Sequence, residues 1–365
     1  MSDEAKALGE LRDQIDSIDQ QIQGLINQRA QCAKNVAEVK LKAKKCDDAV
    51  FYRPEREAQV LRRVMDRNNG PLGNEEMARL FREIMSSCLA LEKPMHIAFL
   101  GPQGTFTQAA ALKHFGHSVV SVPQAAIDEV FRDVEAGESH YGVVPVENST
   151  EGMINHTLDM FVSSPLRICG EVKLRIHHHL LAGVDTDLDK IEKIYSHQQS
   201  LAQCRRWLDS HWRKVERVAV SSNAEAARRV KAEPNSAAIA GDMAEELYGL
   251  VKIAKNIEDQ PDNTTRFLIV GREDVPPSGQ DKTSILVSMK NCPGALYQLL
   301  EPFHKHGISL TRIETRPSTT GTWAYVFYID FEGHYTDENV QKVIEEISKE
   351  AVEIKHLGSY PVGVL

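Results

Sequence analysis

The hydrophobic pattern divides the chain into three stretches. In the first, Leu8, Leu11, Ile15, Ile18, Ile22 and Leu25 fall at spacings of three and four, one apolar stripe along a helix. Glycine and proline are nearly absent before Asn69-Gly70-Pro71-Leu72-Gly73. The helix can therefore run to Lys42, roughly 50 Å at 1.5 Å per residue. Pro54 suits the first position of a second helix ending near Arg67. Asn74-Glu75-Glu76 reads as the cap and first turn of a third. Its apolar face is Met77, Leu80, Phe81, Ile84, Met85, Cys88 and Leu89, and Pro94 stops it. One very long helix and two short ones cannot enclose a core. The stripe needs a partner chain, which predicts an intertwined dimer.

Between residues 95 and 272 the period alternates. Residues 96–100, 141–146 and 193–195 read as strands, and Gly101-Pro102-Gln103-Gly104 as a turn. Helices are expected from Thr107, after the turn 147–152, and over 201–208. This is α/β order, with ligands at the carboxyl ends of strands and at helix N-termini. Residues 273–282 form a Pro/Gly-rich linker. Strands over 284–289, 308–314, 323–331 and 352–357, a turn with Gly321, and helices over 295–306 and 337–349 then follow the βαββαβ order of the ferredoxin-like unit. The expected domains are 1–93, 94–272 and 283–365, joined through the linker. A chain ending near Pro277 is expected to lose only the function of the last domain.

Composition narrows the picture. Apolar residues are 42% and charged residues 26% of 365, enough to fill real cores. No apolar run spans a bilayer, and the charged N-terminus has no signal-like segment, so a cytoplasmic protein is expected. The six cysteines are scattered, without CxxC, and read as small apolar residues in a reducing compartment. The net charge is −9, which argues against nucleic-acid binding. Residues 1–93 carry 16 basic and 16 acidic side chains, so the whole excess of acid lies beyond them. No internal repeat or low-complexity tract is present.

Helical phase gathers cations on the first helix. Arg12, Arg29 and Lys40 return to within roughly 20° of one face at about 100° per residue. The rise separates Arg29 from Lys40 by roughly 16 Å, a gap two long side chains can close on a small dianion. Arg12 lies roughly 25 Å from Arg29 and can contribute only from another chain. His177-His178-His179 cannot share one metal on a strand, because the middle ring points away, and no HExxH is present. No metal and no cofactor are expected.

The segments LRDQIDSIDQQIQGLINQR, VAEVK and PEREAQVL resemble the all-helical chorismate mutases over residues 6–92. The resemblance implies carboxylate binding by Arg29, Arg56 and a partner chain's Arg12. It gives Lys40 the ether oxygen and a carboxylate, and Glu57 a substrate hydroxyl. Arg53 stands where some members have Asp. Glu92 stands where many have Gln facing the ether oxygen, with Cys88 one turn before it on the inward face. The rearrangement needs no nucleophile. Carboxylate clamps hold the compact conformer, and donors stabilise charge growing on the ether oxygen.

GPQGTFTQAA, VPVENSTEGMINHTLDMF, SHQQSLAQC and IEDQPDNTTRFLIVG resemble the signature segments of prephenate dehydratases, whose fold has two α/β lobes around a cleft. The resemblance implies Thr265 as the group that protonates the departing hydroxyl. Thr105, Glu147, Asn148, Ser149, Gln199 and Arg266 would hold prephenate. Gln198 replaces the family's usual proline.

Cys292-Pro293-Gly294-Ala295-Leu296 and Ile313-Glu314-Thr315-Arg316-Pro317 resemble the amino-acid-binding ACT module, with Thr315 in place of the usual Ser. Phenylalanine would then be held by Gly294, Ala295, Leu296 and residues Glu314, Thr315, Arg316 and Pro317. Taken together, the three stretches resemble the bifunctional chorismate mutase/prephenate dehydratase family. The expected partners are chorismate, prephenate and phenylalanine, with a homodimer or higher homo-oligomer and no nucleic acid or membrane. A non-catalytic amino-acid sensor is the rival reading. The intact Thr265, Arg12, Arg29 and Lys40 count against it.

Overall fold

The structure, a computed structural model, describes residues 3–43, 52–290, 292–317 and 325–364. Cys46 and the turn expected at Gly321 lie outside them.

Helix α1 (Asp3–Ala43) is longer than its stripe requires, with acidic residues in its first turn and Lys40 and Lys42 in its last, complementing the helix dipole. Helices α2 (Pro54–Asp66) and α3 (Asn74–Ala90) pack on each other through Leu61, Val64 and Ala78. The residue that caps α3 is Gly73, and Asn74 is already helical, its Oδ1 accepting from Asn68. The six residues of the α1 stripe are 47–63% exposed.

The middle of the chain forms two lobes. Lobe one holds β1 (His96–Leu100), α4 (Phe106–Phe115), β2 (Val120–Gln124), α5 (Ile127–Ala136), β3 (Tyr141–Asn148), β4 (Gly152–Met153), α6 (Asn155–Ser163) and β5 (Arg167–Arg175). Lobe two holds β6 (His179–Ala182), β7 (Lys193–His197), α7 (Gln198–Gln203), α8 (Arg205–His211), β8 (Glu216–Val220), α9 (Asn223–Ala232), β9 (Ser236–Ala240), α10 (Asp242–Tyr248) and β10 (Val251–Ala254). The chain then returns to lobe one as β11 (Thr264–Gly271). The sheet orders are β2-β1-β3-β11-β5 and β10-β6-β9-β7-β8. Two segments cross between the lobes, 176–178 and 255–263. They are tied by Ile176 N to Asn263 O and Ile257 N to His178 O, both 2.8 Å. The helix expected over 201–208 breaks at Cys204, because the Asp259 carboxylate accepts from Arg206 N and Trp207 N and starts a new helix there.

The last domain comprises β12 (Asp281–Met289), α11 (Ala295–Lys305), β13 (Leu310–Pro317), β14 (Tyr325–Glu332), α12 (Glu338–Glu350) and β15 (Ala351–Pro361), in sheet order β13-β14-β12-β15. One face packs on its helices through Val287, Leu299, Ile329 and Val343. The other joins lobe one in a single core, with Leu286, Tyr328, Leu357 and Tyr360 against Val144, Phe161 and Leu268. At Gly358 any Cβ would collide with the Ile168 carbonyl, so only glycine permits this approach of β15 to β5.

The linker is no loose tether. Val275 and Ser278 are buried, and Arg62 of α2 donates to Ser278 Oγ (3.1 Å), Gln280 O (2.9 Å) and Val362 O (3.3 Å).

Candidate active sites

On α1 the face turned to α3 carries Arg29, Ala33, Ala37 and Lys40, with Ala37 buried. Glu92 joins this face from just beyond α3. Burial raises its pKa, and the nearby Lys40 and Arg29 pull it back only in part. Its Oε2 is buried without a hydrogen-bond partner. Cys88 is buried one turn earlier. Arg12 stands exposed at the far end of α1. Arg56 is exposed on α2, and Arg53 pairs with Glu55 at 2.6 Å.

Glu57 departs from its expected role. Neighbours on a helix point about 100° apart, so with Arg56 outward Glu57 turns inward. There its Oε1 accepts from Arg82 Nε at 3.2 Å. Arg82 also donates to Lys113 O of α4, and Tyr52 OH bonds His114 Nε2 at 3.1 Å. Glu57 therefore belongs to the seam between the α2–α3 hairpin and lobe one.

Where lobe one faces lobe two, Thr265 and Asn148 are cross-strand partners on β11 and β3. Asn148 Oδ1 accepts from the backbone N–H of Thr150 (3.0 Å) and Glu151 (3.2 Å), which can only donate. Its Nδ2 must then be the donor to Thr265 Oγ1 and to Asn263 Oδ1, both 2.9 Å. Asn263 Nδ2 donates onward to Gln203 Oε1 (3.1 Å). Gln203 Nε2 donates to Glu151 Oε1 at 2.9 Å, so an amide from lobe two closes on lobe one. Gln199 Nε2 also donates to Glu151. Beside this chain lies a cleft of about 350 Å³, lined by Thr150, Glu151, Gln203, Asn263, Arg205 and Arg206 among others.

Strand alternation moves two expected residues out of the cleft. Glu147 and Arg266, cross-strand partners themselves, face the last domain. Glu147 pairs with Arg312. Arg266 bonds Glu171 (2.7 Å), Asp330 (2.6 Å) and Tyr360 OH (3.0 Å) and is buried. Burial alone would raise the Glu171 pKa, but Arg266 and Lys282 hold it below its usual value. Arg266 is thus committed to a buried ion cluster, each of its three nitrogens bonded on the side away from the cleft. Ser149 ties the strand end, accepting from Thr264 N at 2.9 Å. Thr105 caps α4, accepting from Gln108 N.

Gln203, Asn263, Thr150 and Glu151 escaped the residue-level reading, although all lie within the quoted motifs. Gln203 follows Gln199 by four residues, hence on the same helix face, and that spacing was the available signal. His177 and His179 face Glu258 and Asp242, while His178 turns the other way, to Gln203. No cluster able to hold a metal occurs among the described residues.

In the last domain, register sets the C-terminal ends of β12 and β13 at one end of the sheet. This brings Gly294, Ala295 and Leu296, at the start of α11, to the same end as residues 314–317. Thr315 and Pro317 are exposed on one face of β13. Glu314 and Arg316 alternate to the other. Arg316 departs from its expected role there, bonding both carboxylate oxygens of Asp159 on α6 at 2.9 and 3.0 Å.

A helical module bearing clustered cations, a two-lobed cleft and a ferredoxin-like module docked on it define a regulated enzyme with two separate sites. The chorismate mutase type II family profile matches residues 11–93, the prephenate dehydratase profile 97–275 and the ACT profile 283–349. The chain is similar to the bifunctional chorismate mutase/prephenate dehydratase of Stutzerimonas stutzeri, 66% identical over 99% of this chain and 100% of that protein. The Pseudomonas aeruginosa enzyme of the same name is 65% identical, over 100% and 99%. Among solved structures, prephenate dehydratase of Arthrobacter aurescens in complex with L-Phe aligns at TM-score 0.68 and 35% identity, over 73% of this chain and 90% of that one. The chain belongs to the family of bifunctional chorismate mutase/prephenate dehydratases. It converts chorismate to prephenate, and prephenate to phenylpyruvate, CO2 and water.

Proposed function

We propose that Thr265 is the proton donor of the dehydratase step. Because Asn148 Nδ2 already donates to its oxygen, the Thr265 hydrogen is free to point at a ligand. As the C–CO2 bond breaks, its electron pair forms the aromatic ring and expels the ring hydroxyl, which takes the Thr265 proton and leaves as water. A solvent proton restores the threonine. Threonine is a weak acid, so positioning and aromatisation supply the drive. The forced orientation of Asn148 carries this reading. Thr265→Ala should lower dehydratase kcat by roughly 100-fold or more while sparing the mutase, and Thr265→Ser should retain most activity. Equal loss in both variants would overturn it.

For the mutase, Arg29 and Lys40 hold the dianion, with Arg56 and a second chain's Arg12 completing the clamp. Protonated Glu92 donates to the ether oxygen. The uncovered α1 stripe supports a homodimer, since burying each half-exposed side chain contributes roughly 1 kcal/mol. We assign the modules to residues 1–93, 94–272 and 283–365. No helix among the described residues is long and apolar enough to cross a membrane, and the five described cysteines are free, which supports a cytoplasmic location.

Phenylalanine is the proposed feedback ligand, at the β12–α11 turn and the end of β13. The same strand carries Arg312 and Arg316, which grip Glu147 and Asp159 of lobe one. Glu147 adjoins Asn148, so a shift of β13 reaches the group that orients Thr265.

A further inference from the structure

The segments that cross between the lobes contain a buried histidine with one partner. His178, 1% exposed, sits in the 176–178 crossing. Its Nε2 lies 2.8 Å from Gln203 Oε1, and its Nδ1 is buried with no partner. Phe106 meets its ring edge-on at 5.6 Å. Glu258 accepts from its backbone N–H at 2.9 Å. The charged or titratable groups around it are Glu258, His177 and His179.

We propose that His178 is a positioning residue of the dehydratase, a neutral Nε2–H imidazole that braces Gln203 and so holds the Gln203–Asn263–Asn148 chain in place beside Thr265. This rests on the reading of Thr265 as proton donor.

The tautomer is forced from the far end of the chain. Backbone N–H groups fix Asn148, Asn148 fixes Asn263, and Asn263 Nδ2 requires an acceptor at Gln203 Oε1. The Glu151 carboxylate independently requires Gln203 Nε2 as donor. Gln203 Oε1 therefore faces His178 as an acceptor, and His178 Nε2 must carry hydrogen. The Nδ1–H tautomer would set two lone pairs against each other at Gln203 and bury an unpaired N–H. The imidazolium would bury that N–H with a charge, and burial lowers the pKa accordingly.

Gln203 belongs to lobe two and Asn148 to lobe one, and His178 lies on the segment about which the lobes would turn. A change of lobe angle would stretch the bonds of Gln203 to Glu151 and Asn263, and His178 braces Gln203 in the closed arrangement.

Three measurements on the full-length protein test this. Imidazole 15N shifts, with His178 assigned by its loss in His178→Gln, should show Nε2–H and a bare Nδ1, unchanged over about pH 6 to 8. His178→Gln, which keeps a donor near the Nε2 position, should hold dehydratase kcat within about threefold of the parent. His178→Leu should lower kcat by roughly tenfold with little change in KM, and mutase activity should stay constant in both. An Nδ1–H tautomer, titration in that range, an unimpaired Leu variant, or equal impairment by Gln and Leu would overturn the proposal. If the His178 results hold while Thr265→Ala keeps its kcat, the Thr265 reading fails, and what His178 orders is the Gln203–Asn263–Asn148 chain alone.

Discussion

The two candidate active sites solve the same problem, holding a dicarboxylate, by opposite means. In the dehydratase cleft the side-chain donors and acceptors of Asn148, Asn263 and Gln203 are matched within one chain, across three separate segments. The candidate mutase site sets two cations of a helix whose apolar stripe is bare beside Glu92, whose Oε2 is buried without a hydrogen-bond partner. A site closed by its own chain orients hydrogens. A site left open suits the proposed dimer, in which a second copy would cover the stripe. The first suits a proton transfer and the second a rearrangement in which binding and electrostatics suffice.

The largest effect tests whether the mutase site is shared. Arg12→Ala and Lys40→Ala should each cost roughly 100-fold or more in kcat/KM. Mixed and allowed to exchange, they should recover about a quarter of parental activity, because half the dimers are hybrids with one intact site. No recovery despite demonstrated exchange would make each site the property of a single chain. A second test addresses the coupling of the dehydratase to the last domain. Arg312→Gln should weaken inhibition by phenylalanine roughly tenfold while leaving uninhibited turnover within a few-fold. Inhibition curves that superimpose would exclude β13 as the route. Cutting the chain at Pro277 is a poorer test than the linker composition promised. It would uncover Leu268 and Phe161 and strand Arg266 and Glu171 without Asp330 and Lys282.

A smaller effect concerns Glu92. Its pKa is raised chiefly by burial, so its donor form gains population as pH falls. Mutase kcat should therefore fall as pH rises through mild acid, and Glu92→Gln should flatten the profile and be faster by several-fold at neutral pH. Identical profiles would remove Glu92 from the site. The smallest effect lies at the seam. Burial, then Arg82, lowers the His114 pKa to about 3. A neutral His114 contributes stability that is complete above the unfolded value of about 6.5 and is lost as pH falls toward about 3. His114→Gln should flatten the decline of Tm between about pH 7 and 4, and an unchanged slope would assign the acid sensitivity to other groups.

What the sequence determined by itself is what short-range geometry controls. The 3.6-residue period placed Arg29 and Lys40 on one face and left the stripe from Leu8 to Leu25 without cover, and both hold in three dimensions. The motif segments marked the right strand ends and helix starts. The period of two on β3 and β11 was equally local, and it separates Asn148 from Glu147 and Thr265 from Arg266; reading each motif as one unit put both members in the cleft. Tertiary structure alone decided the rest. Gln203 meets Asn263 only because the chain leaves lobe one after β5 and returns as β11. Arg266 finds Glu171, Asp330 and Tyr360, and Arg62 seizes the linker, over separations of 64 to 218 residues. Such partners depend on which sheets stack and in what order, and no periodicity along the chain encodes that.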